Sequence, residues 1–252
     1  AMREAKRLGG RVLSIVNVVG STIAKESDDV IYTWAGPEIA VATTKAYSTQ
    51  LAVTYLLSIY LADCCGTINA DEYERLVGEL LTIPDKIECI LKDKEHIQYL
   101  ASLYFNNRDI FFIGRNIDYA LSLEGSLKLK EISYIHSDAY AAGELKHGTI
   151  SLVEDGTLVI AAATYQRLLE KTISNIVEVK ARAAQVLSVT TESGKGLVAQ
   201  VSDNMMVIPD IDELFLPSLA VVPMQLFAYY VALLRGCDID KPRNLAKSVT
   251  VE

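Results

Sequence analysis

Cysteine, histidine and basic side chains are scarce in this sequence. Among 252 residues there are four cysteines and three histidines, and 24 lysines and arginines stand against 32 aspartates and glutamates, a net charge of −8. Two of the cysteines, Cys64 and Cys65, are adjacent. Four cysteines form no disulfide framework in a chain of this length and are typical of reduced thiols in the cytosol, so we expect a cytoplasmic protein.

The same scarcities exclude several classes of function. No group of cysteines and histidines has the spacing of a zinc site, so we expect no metal, and we expect no other cofactor. The acidic balance argues against binding to nucleic acid or to a membrane surface, because both need concentrated lysine and arginine. An anionic substrate must then be held by a few local donors.

Long hydrophobic runs are also rare. The first ten residues lack the apolar core of a secretory signal peptide. One uncharged run, residues 214–234, is long enough to span a bilayer. Pro217, Pro223 and Gln225 interrupt this run, so the sequence favours a buried helix packed on a sheet or on a partner.

Strand and helix patterns alternate along the chain, and half of its residues are apolar. This alternation predicts an α/β fold with parallel sheets flanked by helices on both faces, in three layers. The patterns predict strands at 11–19, 29–35, 109–116, 157–163, 185–192 and 204–210. They predict helices at 2–8, 38–65, about 119–134 and 166–184, with further helical sequence between 67 and 106.

The strands are unevenly distributed between two parts of the chain. A three-layer α/β module needs about five strands, and the N-terminal part offers two. We therefore expect an incomplete first module at 1–66, connecting helices at 67–106, a complete second module at 107–235 and a C-terminal tail at 236–252.

Three charged residues share one face of the predicted helix at 119–134. Glu124, Lys128 and Glu131 lie at i, i+4 and i+7, one above another. A solvated helix face with an ion pair gives the same pattern, and spacing alone favours that interpretation.

Neighbouring apolar residues favour the other interpretation, a buried face. Leu127, Ile132 and Ile135 indicate a mostly buried helix, and buried carboxylates and lysines have perturbed pKa values suited to proton transfer. A loop follows the helix and ends in Lys146-His147-Gly148. Spacing thus favours the solvated face, the apolar neighbours favour the buried face, and both interpretations remain open.

Three separated blocks of the sequence are similar to one enzyme family. They are GPEIAVATTKAYSTQLA (36–52), EGSLKLKEISYIHSDAYAAGELKHG (124–148) and DKPRNLAKSVTVE (240–252). They resemble the isomerase domain of the glutamine–fructose-6-phosphate aminotransferases, which is built from two sugar-isomerase (SIS) modules. The resemblance implies a homodimer that converts fructose 6-phosphate and ammonia to glucosamine 6-phosphate. A glutaminase domain of the same polypeptide would supply the ammonia.

The resemblance also implies a role for each candidate catalytic residue. Glu131 would shuttle a proton between C1 and C2 of the sugar, and Lys128 would assist at the neighbouring hydroxyl. Glu124 would hold the lysine or a sugar hydroxyl. His147 would open the sugar ring across the dimer interface, and Lys247 would form a Schiff base with the ketose C2.

Further residues would bind the substrate. By the resemblance, Val41 and Ala246 contact the sugar, and Thr43 and Thr44 contact the phosphate. We place Val41 to Thr44 in the first turns of the helix at 38–65, where backbone N–H groups favour an anion. Ordinary helix-start threonines are the alternative. The family has a serine at the position of Thr43, so the hydroxyl is kept and a methyl is added.

Two expectations concern the ends of the chain. In the family, the first module begins with a strand and a Ser/Thr-rich phosphate loop that this sequence lacks, so we expect the chain to be a fragment. The family's C-terminal tail folds over the active site, and we expect Arg243 to order it by pairing with a carboxylate.

Two further functions remain open beside the enzyme. A SIS module without catalysis would bind a sugar phosphate as a regulatory or sensing domain, but it would not need both Glu131 and Lys247. A purely structural dimerisation domain would not require a Glu-Lys-Glu face near a loop that contains a histidine.

Overall fold

The computed structural model of the chain describes residues 1–247 and divides them into two compact units. The first unit comprises residues 1–77 and the second begins at Gly78. The border falls inside a helix, whereas the sequence places domain boundaries after residues 66 and 106. Those boundaries stay predictions, and the last residues of the predicted tail, 248–252, lie outside the described residues.

The first unit contains a two-stranded parallel sheet and its helices. The elements are α1 (Met2–Arg7), β1 (Leu13–Val16), α2 (Thr22–Glu26), β2 (Asp29–Tyr32) and α3 (Lys45–Cys64), followed by α4 (Ala70–Leu81), which crosses the border. β1 pairs with β2 from Leu13 opposite Asp29. The apolar run that predicted a strand at 11–19 forms only four residues of strand, and Val18 and Val19 at its end are exposed.

The predicted start of α3 is wrong. The helix begins at Lys45 with Thr44 as its N-cap, so residues 41–44 precede the helix and do not form its first turns. Val41, Thr43 and Thr44 are β-branched, and such side chains lose rotamer freedom in a helix, which disfavours an earlier start.

The second unit contains a five-stranded sheet in the order β4-β3-β5-β6-β7, with all neighbouring strands parallel. The strands are β3 (Asp109–Gly114), β4 (His136–Ala141), β5 (Leu158–Ala163), β6 (Gln185–Thr191) and β7 (Asn204–Ile208). The helices are α5 (Ile83–Lys92), α6 (Lys94–Tyr104), α7 (Ile117–Ser133), α8 (Leu169–Lys180), α9 (Lys195–Val198) and α10 (Leu216–Leu234). Parallel sheets flanked by helices, as predicted from the alternation, are confirmed.

β4 is a strand that the sequence patterns did not predict. Its segment, HSDAYA, has no apolar run and no regular alternation of apolar and polar residues, so the sequence predicts a loop there. It lies at the edge of the sheet, where it pairs only with β3 and most of its side chains are partly accessible. The sequence predicts four strands in this part of the chain, and β4 is the fifth strand of the sheet.

α10 is a core helix of the second unit. It packs against α6 and α7, and the buried helix predicted from the run at 214–234 is confirmed. Among the described residues it is the one helix long and apolar enough to cross a membrane, but 72% of its most apolar window is buried inside the protein. Such burial is typical of the central helix of a folded domain.

Candidate active site

α7 is held closely on both of its sides. At the end of β3, a Cβ on Gly114 would lie 2.3 Å from the carbonyl oxygen of Asp118, so only glycine allows this approach. Further along, a Cβ on Gly125 would lie 2.7 Å from Sδ of Met224 on α10. The hydroxyls of Ser126 and Ser137 each donate to the other residue's carbonyl and join α7 to β4. These contacts hold the backbone of α7 against β3, β4 and α10.

Glu124, Lys128 and Glu131 form one buried ion cluster on α7. Nζ of Lys128 lies 2.7 Å from Oε2 of Glu131 and 3.6 Å from Oε1 of Glu124. The Lys128 side chain is only 4% exposed, and those of Glu124 and Glu131 are 13% and 22% exposed. The burial contradicts a solvated helix face. Ile132 and Ile135 are buried as predicted, while Leu127 is 41% exposed.

The two carboxylates are not equivalent. Oε1 of Glu124 is buried and has no hydrogen-bond partner among the described residues, whereas Glu131 accepts a short hydrogen bond from Lys128. Burial raises the pKa of Glu124, and the charge of Glu131 adds to the rise while that of Lys128 opposes it. One ammonium group therefore pairs with two carboxylates. Glu124 is the carboxylate that would be stabilised by binding a proton or by accepting a hydrogen bond from a ligand.

His147 lies in the segment that follows β4. It ends a short 3₁₀ helix, Leu145–His147, and its side chain is exposed. The segment is anchored by Leu145, which is buried in the core, and by the backbone N–H of Ala142, which donates to the carbonyl of Gly114 at 2.8 Å. An exposed imidazole on an anchored loop is accessible to a ligand or to another subunit.

The C-terminal tail is attached to the end of α7. The Arg243 guanidinium lies 4.2 Å from the centre of the Tyr134 ring, and the Arg243 backbone N–H donates to the Tyr134 hydroxyl at 2.7 Å. The described contact of the guanidinium is thus an aromatic ring, and the expected pairing of Arg243 with a carboxylate stays a prediction. Ala246 and Lys247 follow and are exposed. Sequence patterns gave no signal for Tyr134, since the contact joins residues 109 positions apart.

The substrate-binding candidates Val41, Thr43 and Thr44 belong to the first unit. Val41 and Thr43 are partly buried, and Thr44 is exposed. As the N-cap of α3, Thr44 makes no side-chain capping hydrogen bond. Their predicted contacts with the sugar and the phosphate stay predictions. Within residues 1–247, no three histidine, cysteine, aspartate or glutamate side chains are grouped so that they could hold a metal ion.

Comparison with known proteins identifies the family. Residues 1–60 and 103–235 match the SIS domain. The chain belongs to the SIS domain family. Its α/β fold and the resemblance found in the three sequence blocks are confirmed by this match and by the relatives.

Curated relatives and solved structures agree with the family match. The chain is 56% identical over 252 residues to the glutamine–fructose-6-phosphate aminotransferases (isomerizing) of Clostridium tetani and of Caldanaerobacter subterraneus. It is fully covered in both alignments but spans only 41% of the length of those relatives.

The solved structures include the C-terminal domain of glucosamine-fructose-6-phosphate aminotransferase from Francisella tularensis, with a TM-score of 0.92 and 33% identity. That alignment covers 96% of this chain and 68% of the other. A glucosamine-6-phosphate deaminase from Thermotoga maritima matches with a TM-score of 0.71 and 28% identity, over 97% of this chain and 68% of the other.

Proposed function

We propose that the chain is the isomerase domain of a glutamine–fructose-6-phosphate aminotransferase, which converts fructose 6-phosphate and ammonia to glucosamine 6-phosphate. The name and the 56% identity of the curated relatives support this proposal. Because the chain spans 41% of their length, a glutaminase domain of the same polypeptide would release the ammonia. We further propose that the enzyme is cytoplasmic and homodimeric.

The observation that carries the proposal is the buried ion cluster on α7. Interconversion of a ketose and an aldose needs one base that removes a proton from one carbon and returns it to the next. Glu131 is assigned this role, since its carboxylate is partly accessible and is oriented by Lys128 at 2.7 Å. A correctly placed general base typically accelerates such a step about 10²–10⁴-fold.

Lys128 and Glu124 complete the cluster as auxiliary groups. The Lys128 ammonium stabilises negative charge that develops on the sugar oxygen beside the transferred proton. Oε1 of Glu124 has no hydrogen-bond partner within residues 1–247, which leaves it available to a sugar hydroxyl. Burial disfavours the ionised form of Glu124, because the buried oxygen has lost its hydration. A hydrogen bond from a sugar hydroxyl would replace part of that hydration.

Lys247 is assigned the covalent step. Its neutral amine would attack the C2 carbonyl of the open-chain ketose, and loss of water would give an imine. The contact of Arg243 with Tyr134 supports this role, because it attaches the tail one helical turn beyond Glu131. Opening of the sugar ring is assigned to His147 of the second subunit. Val41, Thr43, Thr44 and Ala246 are assigned to substrate binding.

Turnover of the complete protein tests the proposal against a sensing domain. We expect the full-length protein to form glucosamine 6-phosphate from fructose 6-phosphate and glutamine, as measured by product chromatography. Calorimetry on the same preparation measures sugar-phosphate binding. Binding without turnover would favour the non-catalytic SIS domain, and light scattering that shows a stable monomer would contradict the dimer.

A further inference from the structure

The direction in which the chain adds strands to the five-stranded sheet reverses between β3 and β5. From β3 the chain passes through α7 to β4 on one side, and from β4 it returns to β5 on the other side of β3. Open parallel sheets bind ligands outside the carboxyl ends of their strands at such a switch point. In the second unit the residues at this point are Arg115-Asn116 after β3 and Thr164-Tyr165 after β5.

The segment after β5 presents three hydrogen-bond donors to one position. They are the backbone N–H groups of Thr164 and Tyr165 and the hydroxyl of Thr164. Thr164 is fully buried. Successive backbone N–H groups with a hydroxyl are a donor set that binds small oxyanions, such as carboxylates and phosphates.

The carboxylate of Asp118, in the first turn of α7, lies at this position. Its Oδ2 accepts from the N–H groups of Thr164 and Tyr165 at 3.0 and 3.1 Å, and its Oδ1 accepts from the Thr164 hydroxyl at 2.5 Å. Asp118 is only 1% exposed. The close approach that Gly114 allows brings the first turn of α7 down to the strand ends, within reach of these donors.

We propose that the switch point of the second unit is an anion-binding site whose occupant is the chain's own Asp118 carboxylate. The donors that would otherwise bind a carboxylate or phosphate ligand are used within the protein. A phosphate cannot use these three donors while Asp118 occupies them. This occupancy holds whatever reaction the protein catalyses.

The carboxylate depends strongly on these donors. Burial raises the pKa of Asp118, and the hydrogen bonds from Thr164 and Tyr165 oppose the rise. The three hydrogen bonds are thus the described contacts that stabilise the ionised form, and loss of one donor should destabilise the folded protein.

Chemical rescue of the full-length protein tests the site. Asp118→Ala leaves the three donors unpaired around a cavity the size of a carboxylate, so thermal unfolding should shift to lower temperature. Formate, compared with chloride at equal ionic strength, should raise the unfolding temperature of Asp118→Ala. The expected rise is roughly 3–6 °C at about tenfold its dissociation constant. Wild type should not respond.

Leu129→Ala is the matched control for a cavity. Leu129 is fully buried on the same helix, but its removal exposes no donors, so formate should not stabilise this variant. A formate response in Asp118→Ala alone supports the proposal. An equal response in both variants, or none in Asp118→Ala, would overturn it.

A second variant keeps the proposal testable if Asp118→Ala does not fold. Thr164→Val removes the hydroxyl that donates to Asp118. Thr172→Val is its control, because it removes a buried threonine hydroxyl that donates to a backbone carbonyl. Thr164→Val should lower the unfolding temperature more than Thr172→Val does, because hydrogen bonds to an ionised acceptor contribute more than those to a neutral carbonyl. An equal loss in the two variants would show that the Thr164 hydroxyl serves no anion.

Discussion

Nζ of Lys128 lies 2.7 Å from Oε2 of Glu131, and the lysine side chain is almost completely buried. A second carboxylate, that of Glu124, is 3.6 Å from the same nitrogen. This arrangement restrains the candidate base by one short ion pair. The other carboxylate has an oxygen that forms no hydrogen bond with the part of the chain that the structure describes. The predictions below depend on this asymmetry and on the contacts that hold α7.

Replacement of Lys128 by methionine should destabilise the protein. It leaves two buried carboxylates without their cation, and breaking a buried ion pair from one side typically costs about 3–5 kcal/mol. The free energy of unfolding, from denaturant titration, measures the effect. Lys130→Met is the control, because Lys130 is on the same helix but exposed, 3.7 Å from Asp138, and such surface pairs contribute about 0–1 kcal/mol. Equal losses in the two variants would contradict the buried cluster.

Stability should depend on the protonation of Glu124. Its pKa is raised in the folded protein, chiefly by burial, so the folded state binds this proton more tightly than the unfolded chain. The resulting penalty is absent below the unfolded pKa and complete above the folded pKa. Glu124→Gln removes the ionisable group, so the variant should gain stability relative to wild type as the pH rises through that window.

Denaturant titrations at several pH values check the Glu124 prediction. Glu95→Gln serves as the control, because Glu95 is an exposed glutamate on α6. The change in stability with pH, relative to wild type, should be larger in Glu124→Gln than in this variant of an exposed residue. If Glu124→Gln instead lost stability relative to wild type as the pH rises, the assigned direction of the pKa shift would be wrong.

Tyr134 should hold the C-terminal tail in place. Tyr134→Leu removes both the ring under Arg243 and the hydroxyl that accepts from its backbone. A cation–π contact at an exposed site is worth about 0.5–1 kcal/mol, so trypsin should cleave after Arg243 roughly 2–5-fold faster. Tyr99→Leu, an exposed tyrosine on α6, is the control. Unchanged cleavage in Tyr134→Leu would mean that this contact does not order the tail.

The parts of the fold that can be predicted from the sequence are those in which the residues of a single segment specify its secondary structure. β5 was found because all six of its residues are buried and apolar. β4 was missed because an edge strand pairs on one side only and tolerates polar side chains. The start of α3 is harder to predict, because residues 38–44 contain no glycine or proline that would mark a boundary, yet they do not join the helix.

The site was predictable only in part, for a similar reason. Helix spacing placed Glu124, Lys128 and Glu131 on one face, but their burial depends on α7 packing against α10 and on glycines that allow close contact. The contacts of Tyr134 with Arg243 and of Asp118 with Thr164 join distant parts of the chain. No periodicity within one helix or strand contains that information, so these contacts appear only in the folded protein.

The most direct test of the proposed catalysis is Glu131→Gln in the full-length protein, with turnover and binding measured side by side. The amide keeps the shape of the side chain but cannot accept a proton. Loss of a general base typically lowers kcat by about 10²–10⁴-fold. We expect glucosamine 6-phosphate formation to fall by that amount while fructose 6-phosphate still binds in calorimetry. Undiminished turnover in Glu131→Gln would contradict the assignment of Glu131 as the proton shuttle.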